Sequence, residues 1–186
     1  MLIAVNPEAD TYVISSNPNA NQGTQTRLRI GQLSTPSTNR AALRFNLAAW
    51  PHVINPAVVK SATLAMVVET AAASAAAGEV VLWEPAPWVE TTVTWNNMPA
   101  LHSAVAAAFA FPTGAGTVTI DVKAVLIEAL SVLGTLTPSF LAKKTDEATN
   151  ANWFCHSREA ASSANWPLLT IETYEPGRLP LLGIGV

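Results

Sequence analysis

Residues 83–100 read WEPAPWVETTVTWNNMPA and carry three tryptophans, Trp83, Trp88 and Trp95. From Thr91 to Trp95, hydroxyl-bearing and apolar side chains alternate at every second position. That is the period of a strand with one buried face. Pro85, Pro87 and Pro99 supply the turns that bound it. The stretch therefore predicts a β-strand over Thr92–Trp95 and an all-β setting for it. Tryptophan serves as core, as a stacking platform or as an interface anchor, and core is the default reading.

Working outward, the same alternation predicts strands at Thr11–Ile14, Thr26–Ile30, Ala41–Leu47, Val59–Val68, Val80–Trp83, Thr117–Asp121, Ser139–Lys143, Trp153–Ser157 and Leu168–Tyr174. Between them lie NPNANQG (17–23), STPSTN (34–39), WPHVINP (50–56) and PTGAG (112–116), all rich in Asn, Pro, Gly or Ser. One helix is predicted. It is capped by Asp121, places Val122, Val125, Leu126, Ala129, Leu130 and Leu133 on one face, and stops at Gly134. The alanine-rich run Ala71–Gly78 is read as a loop. About ten short strands with one short helix make a jelly-roll β-sandwich.

At 186 residues the chain fits one domain, taken as 1–175, followed by an apolar arm, 176–186. Hydrophobic residues make up 49% and charged residues only 12%. A solvated monomer carries about twice that charge, so part of the surface is expected to be covered by other protein. A net charge of −3 with ten scattered Lys and Arg gives no basic stripe for nucleic acid. No segment reaches membrane-spanning length. The start, MLIAVNPEAD, lacks the features of a secretion signal. Cys155, the single cysteine, allows no internal disulfide and reads as a small buried hydrophobe.

DTYV at 10–13, NRAALRFNL at 39–47, VKSATL at 59–64, the Trp88–Glu90–Thr94–Trp95 stretch and WPLLTI at 166–171 occur in one order. Together they resemble the DNRLRE-type domain, related to disaggregatase-type and alginate-binding carbohydrate modules. The resemblance spans about residues 9–175. It implies a jelly-roll sandwich without catalytic activity, found as an appendage on secreted or surface proteins.

Catalysis has little support in the residues themselves. His52, His102 and His156 show no metal-ligand spacing, and no nucleophile elbow or phosphate-cradling loop is present. Glu84 and Glu90 are the acidic pair in an aromatic setting, and Glu90 reads as a structural acceptor of turn amides or a partner of Arg44. No cofactor is expected. A structural calcium ion would draw on Asp10, Asn19, Asn21 and Asp121, but no single loop has the carboxylate density of a dedicated site.

For glycan binding, Trp50, Trp88 and Trp153 border turn residues and are the candidate stacking faces. Arg40, with Arg27, Arg29 and Arg44, would meet an anionic polymer, salt bridging being the blander reading of these arginines. The C-terminal Leu179, Leu181, Leu182, Ile184 and Val186, and the N-terminal Leu2, Ile3 and Val5, read as apolar anchors for a partner subunit. Low charge, a leaderless start and apolar termini point to a non-enzymatic decoration or cement protein. Its setting would be the surface of a bacteriophage virion, with partners a major capsid or tail protein and further copies of itself. The alternative is an extracellular carbohydrate-binding module recognising a polysaccharide such as alginate or a host-surface glycan.

Overall fold

The computed structural model describes residues 1–32, 37–51, 54–72 and 76–174. The expected arm with Leu179, Leu181, Leu182, Ile184 and Val186 lies outside the described residues, as does His52. Among those described, eleven strands run β1 (Leu2–Val5), β2 (Ala9–Ile14), β3 (Arg27–Gln32), β4 (Thr38–Arg44), β5 (Val59–Thr70), β6 (Ala76–Trp83), β7 (Leu101–Phe111), β8 (Gly116–Asp121), β9 (Ser139–Lys144), β10 (Ala151–His156) and β11 (Leu168–Thr173). One helix, α1 (Lys123–Ser131), follows β8. No helix among the described residues is long and apolar enough to cross a membrane.

Every strand pairing is antiparallel, and the hydrogen-bonded path is β1-β11-β5-β10-β3-β4-β9-β6-β7, with β8 on the other side of β5 and β2 on the other side of β4. This path curls on itself into the all-β sandwich that the alternation predicts. Period-two alternation decides which side chains face inward. Leu28 and Ile30, Leu64 and Met66, Val80 and Leu82, Phe140 and Ala142, Trp153 and Cys155, and Leu169 and Ile171 are all buried in one core. Each large side chain so buried contributes about 1.5–3 kcal/mol.

A second apolar cluster lies on the opposite face of the β2-β4-β9-β6 sheet. Val13, Ala42, Val81, Trp83 and Leu141 point out from that sheet and are covered by Trp88 and Val93. Residues 84–100 are thus a lid, and Thr92–Trp95 forms turns where a strand was expected. The physical reason lies in its hydrogen bonds. Val93 N–H bonds Val89 O at 2.9 Å and Thr94 N–H bonds Asn97 Oδ1 at 2.6 Å, while the Asn21 amide donates to the Glu90 and Val93 carbonyls, each at 2.7 Å. With donors and acceptors satisfied locally, no ladder partner is needed.

Two strands were not anticipated. β1 pairs β11 from Leu2 opposite Glu172 to Val5 opposite Leu169. β7 is an alanine-rich strand along β6, and the β6 partner segment begins at Ala76, inside the run read as loop. Gly78 permits this pairing, because a Cβ there would come within 2.5 Å of the Phe111 ring. Helix α1 packs on β5, β6 and β7 through Val125, Leu126 and Ala129. Asp121 Oδ1 accepts the Lys123 N–H at 3.0 Å, and Gly134 takes φ +62° just beyond the helix.

Candidate glycan-binding surface

The register of β3 against β10 sets Phe154 opposite Arg29 and His156 opposite Arg27. Since Leu28, Ile30, Trp153 and Cys155 point to the core, Arg27, Arg29, Phe154 and His156 share the outward face. The Arg29 guanidinium carbon lies 4.9 Å from the Phe154 ring centroid and 5.6 Å from that of Tyr12. Such cation–π contacts are worth about 0.5–2 kcal/mol and fix the guanidinium plane. Arg27 lies 6.0 Å from the Phe154 centroid and donates to Glu69 Oε1 at 2.7 Å.

The arginines divide by partner. Arg40 makes a bidentate pair with Glu147, both bonds 2.8 Å, and Arg44 bonds Glu8 at 2.6 Å. With Arg27 on Glu69, three of the four strand arginines follow the salt-bridge reading. Arg29 has no carboxylate within 4.0 Å among the described residues, and its Nε is buried without an acceptor. Arg29 is thus a cation held by two rings with no carboxylate beside it among the described residues.

Beside this platform opens a shallow cleft of about 320 Å³, lined by Thr26, Arg27, Glu69, His156, Ser162 and Asn165 among others. Its far wall is the loop after β10. Ser157 Oγ donates to Gln25 O at 2.7 Å and Trp166 Nε1 to Ala160 O at 2.8 Å, holding that wall in place. Hydroxyl, amide, imidazole and carboxylate groups along an open groove suit the hydroxyls of a sugar chain. Glu69 is the one carboxylate among the cleft residues and is already paired, whereas glycoside hydrolysis uses two carboxyl groups across a scissile bond.

A second cavity of about 290 Å³ lies between the 84–100 lid and the segment after α1, with Trp83, Pro85, Pro87 and Leu133 in its wall. Its cation, Arg44, is engaged by Glu8, by the Trp88 carbonyl at 2.6 Å and by the Trp88 ring at 4.8 Å. That engagement leaves it little to offer a ligand.

The tryptophans chosen from sequence are placed differently from expectation. Trp88 is buried in the lid cluster, edge-on to Trp83 at 5.4 Å, with its Nε1 on Ser139 Oγ at 2.9 Å. Trp153 is fully buried, stacked on Phe111 at 4.1 Å and 17°, and donates to the Pro112 carbonyl. Neither presents a face to a sugar, because each lies on the inward side of its neighbours. Trp50 is half-buried against the main core. Arg40 stacks on Trp95 at 4.7 Å and is spent on Glu147. Ile3 is 3% exposed within its own sandwich and so is no anchor for a partner, while Leu2 is 69% exposed on the edge strand β1.

Glu90 accepts the Asp10 N–H of strand β2 at 2.7 Å in place of a nearby turn amide, and Arg44 pairs with Glu8. Glu84 bonds His102, so the two glutamates serve different partners. Phe154, on the outward face beside Arg29, was not singled out from the sequence. The available signal was its place in WFCH, out of phase with the core residues Trp153 and Cys155.

The family model for carbohydrate-binding module family 96 matches residues 2–173. No curated protein matches the chain.

Proposed function

The chain belongs to carbohydrate-binding module family 96, and on that premise we propose that it binds an acidic polysaccharide along the outward face of β3 and β10. The family is one of binding modules and not of catalysts. Its match supports the glycan-binding reading over the virion decoration role that low charge and apolar termini had pointed to.

The observation that carries the site is Arg29, stacked on Phe154 and Tyr12 without a carboxylate partner among the described residues. In this reading its guanidinium meets a sugar carboxylate or sulfate, Phe154 offers its ring to the sugar face, and the neighbouring cleft receives hydroxyls through Thr26, Ser162 and Asn165. An alginate-like uronan has the charge this arrangement calls for. The likeness to DNRLRE-type and alginate-binding modules belongs to the same proposal, as does work at an extracellular or surface location.

Affinity electrophoresis tests it. The protein is run through native gels containing alginate, pectate or a neutral glucan. Retardation in the acidic gels that fades with added salt is the expected result. Free migration in all of them would overturn the proposal, and retardation in the neutral glucan alone would overturn the acidic specificity.

A further inference from the structure

Three carboxylates from distant parts of the chain converge at the start of β2. Asp10, Glu90 of the lid and Glu159 of the loop after β10 each offer an oxygen, and these oxygens lie within 4.8 Å of one another. Asp10 is 1% exposed, and its Oδ1 has no hydrogen-bond partner. Glu159 Oε2 is also buried without one.

The remaining contacts are accounted for. The Arg158 N–H donates to Asp10 Oδ2 at 2.8 Å and the Asp10 N–H to Glu90 Oε1 at 2.7 Å. Arg158 Nε lies 3.0 Å from Glu159 Oε1 and 3.9 Å from Glu90 Oε1. Arg158 is the guanidinium in contact with the cluster and Arg44 acts on Glu90 from farther off, so the three carboxylates, when ionised, outnumber the cations that meet them. Like charges gathered out of water are unfavourable unless a counter-charge sits among them. Burial, reinforced by Glu159 and Glu90, pushes the Asp10 carboxyl up to about 8 when nothing else compensates it.

We propose that Asp10, Glu90 and Glu159 form a calcium site. The donors are oxygens only, with no histidine or cysteine in the group, which selects a hard cation. Calcium accepts an irregular set of carboxylates completed by water, whereas magnesium demands a near-ideal octahedron. The cluster is built rather than incidental at Glu90. Its carbonyl is held by the Asn21 amide at 2.7 Å, and Gly23 packs so close that a Cβ there would come within 2.1 Å of the same carbonyl. Of the donors named from sequence, Asp10 is a ligand and Asn21 a support. The low carboxylate density of each loop hid the site because its members stand about 80 and 150 residues from Asp10 in the chain.

Bound calcium ties together β2, the lid and the loop whose next residue, Ala160, lines the cleft. The inference stands apart from glycan binding, and its test contains no sugar. The full-length protein is stripped with EDTA, then titrated with calcium chloride by calorimetry, and melted in each state. One calcium per chain is expected, with melting raised by about 5–10 °C once free calcium exceeds Kd about 100-fold. Asp10→Asn abolishes the binding heat, and Glu79→Gln on β6 leaves it unchanged. Absence of binding heat with identical melting in EDTA and calcium would overturn the site, the carboxylates then sharing protons instead. Magnesium raising the melting temperature as much as calcium would overturn the choice of ion.

Discussion

Arg27 and Arg29 stand two residues apart on one strand face, yet one is spent on Glu69 and the other is not. Sequence alternation places both outward but cannot say which finds a carboxylate, since the partner is set by tertiary neighbours 40 or more residues away. The same limit hid the fate of Trp88 and Trp153. Each borders turn residues in sequence, and each is covered by elements that the alternation of one strand does not reveal. Cys155 was legible. Burial pushes its thiol up to about 12, so native protein should resist iodoacetamide at pH 8 and react only on unfolding, as followed by mass spectrometry. His102 lies between Glu128, at 2.9 Å from Nε2, and Glu84, at 3.0 Å from Nδ1. Only the imidazolium donates to both. These bonds, the one to Glu128 first, raise its pKa above the ordinary 6.5. A raised folded-state value means that the stabilisation is complete below about 6.5 and is lost as pH rises through the folded pKa. His102→Ala should therefore lower the melting temperature more at pH 5.5 than at pH 9, and an equal loss at both would contradict the clasp.

Among the elements, the lid is where the sequence misleads. WVETTVTW alternates because a coil laid on a sheet also buries residues on one side, and period alone does not separate that from a strand. The discriminating feature is hydrogen bonding. Asn21 and Asn97 satisfy backbone groups that a strand would leave for a neighbour. β7 escaped notice for the opposite reason. Its Ala-rich sequence has low β-propensity and gains its place from pairing with β6 and from Phe109 and Phe111. Truncating Trp88→Ala should cost about 3–5 kcal/mol, measured by urea unfolding, because it empties the lid cluster beside Trp83. Gly31 takes φ +96°, and a Cβ there would meet the Ala151 carbonyl at 2.1 Å. Gly31→Ala is expected to destabilise by about 1–3 kcal/mol in the same assay.

For the whole molecule, the sandwich and most of its strands were readable because both faces of the sheet write a period-two pattern into the chain. The proposed binding surface was not, since it is assembled from β3, β10, the end of β5 and the loop after β10. The few charges are mostly paired with one another: Arg40, Arg44, Lys143 and His102 all hold carboxylates. Of the four strand arginines, Arg29 is the one without a carboxylate partner among the described residues. The most direct test compares wild type, Arg29→Ala and Arg40→Ala by calorimetry against soluble alginate at low salt. Both variants lose one positive charge, so net charge alone cannot separate them. The account predicts at least a tenfold weaker Kd for Arg29→Ala, about 1.4 kcal/mol, with Arg40→Ala binding like wild type and all three folded by circular dichroism. Binding unchanged in Arg29→Ala, or no binding by the wild type, would contradict it.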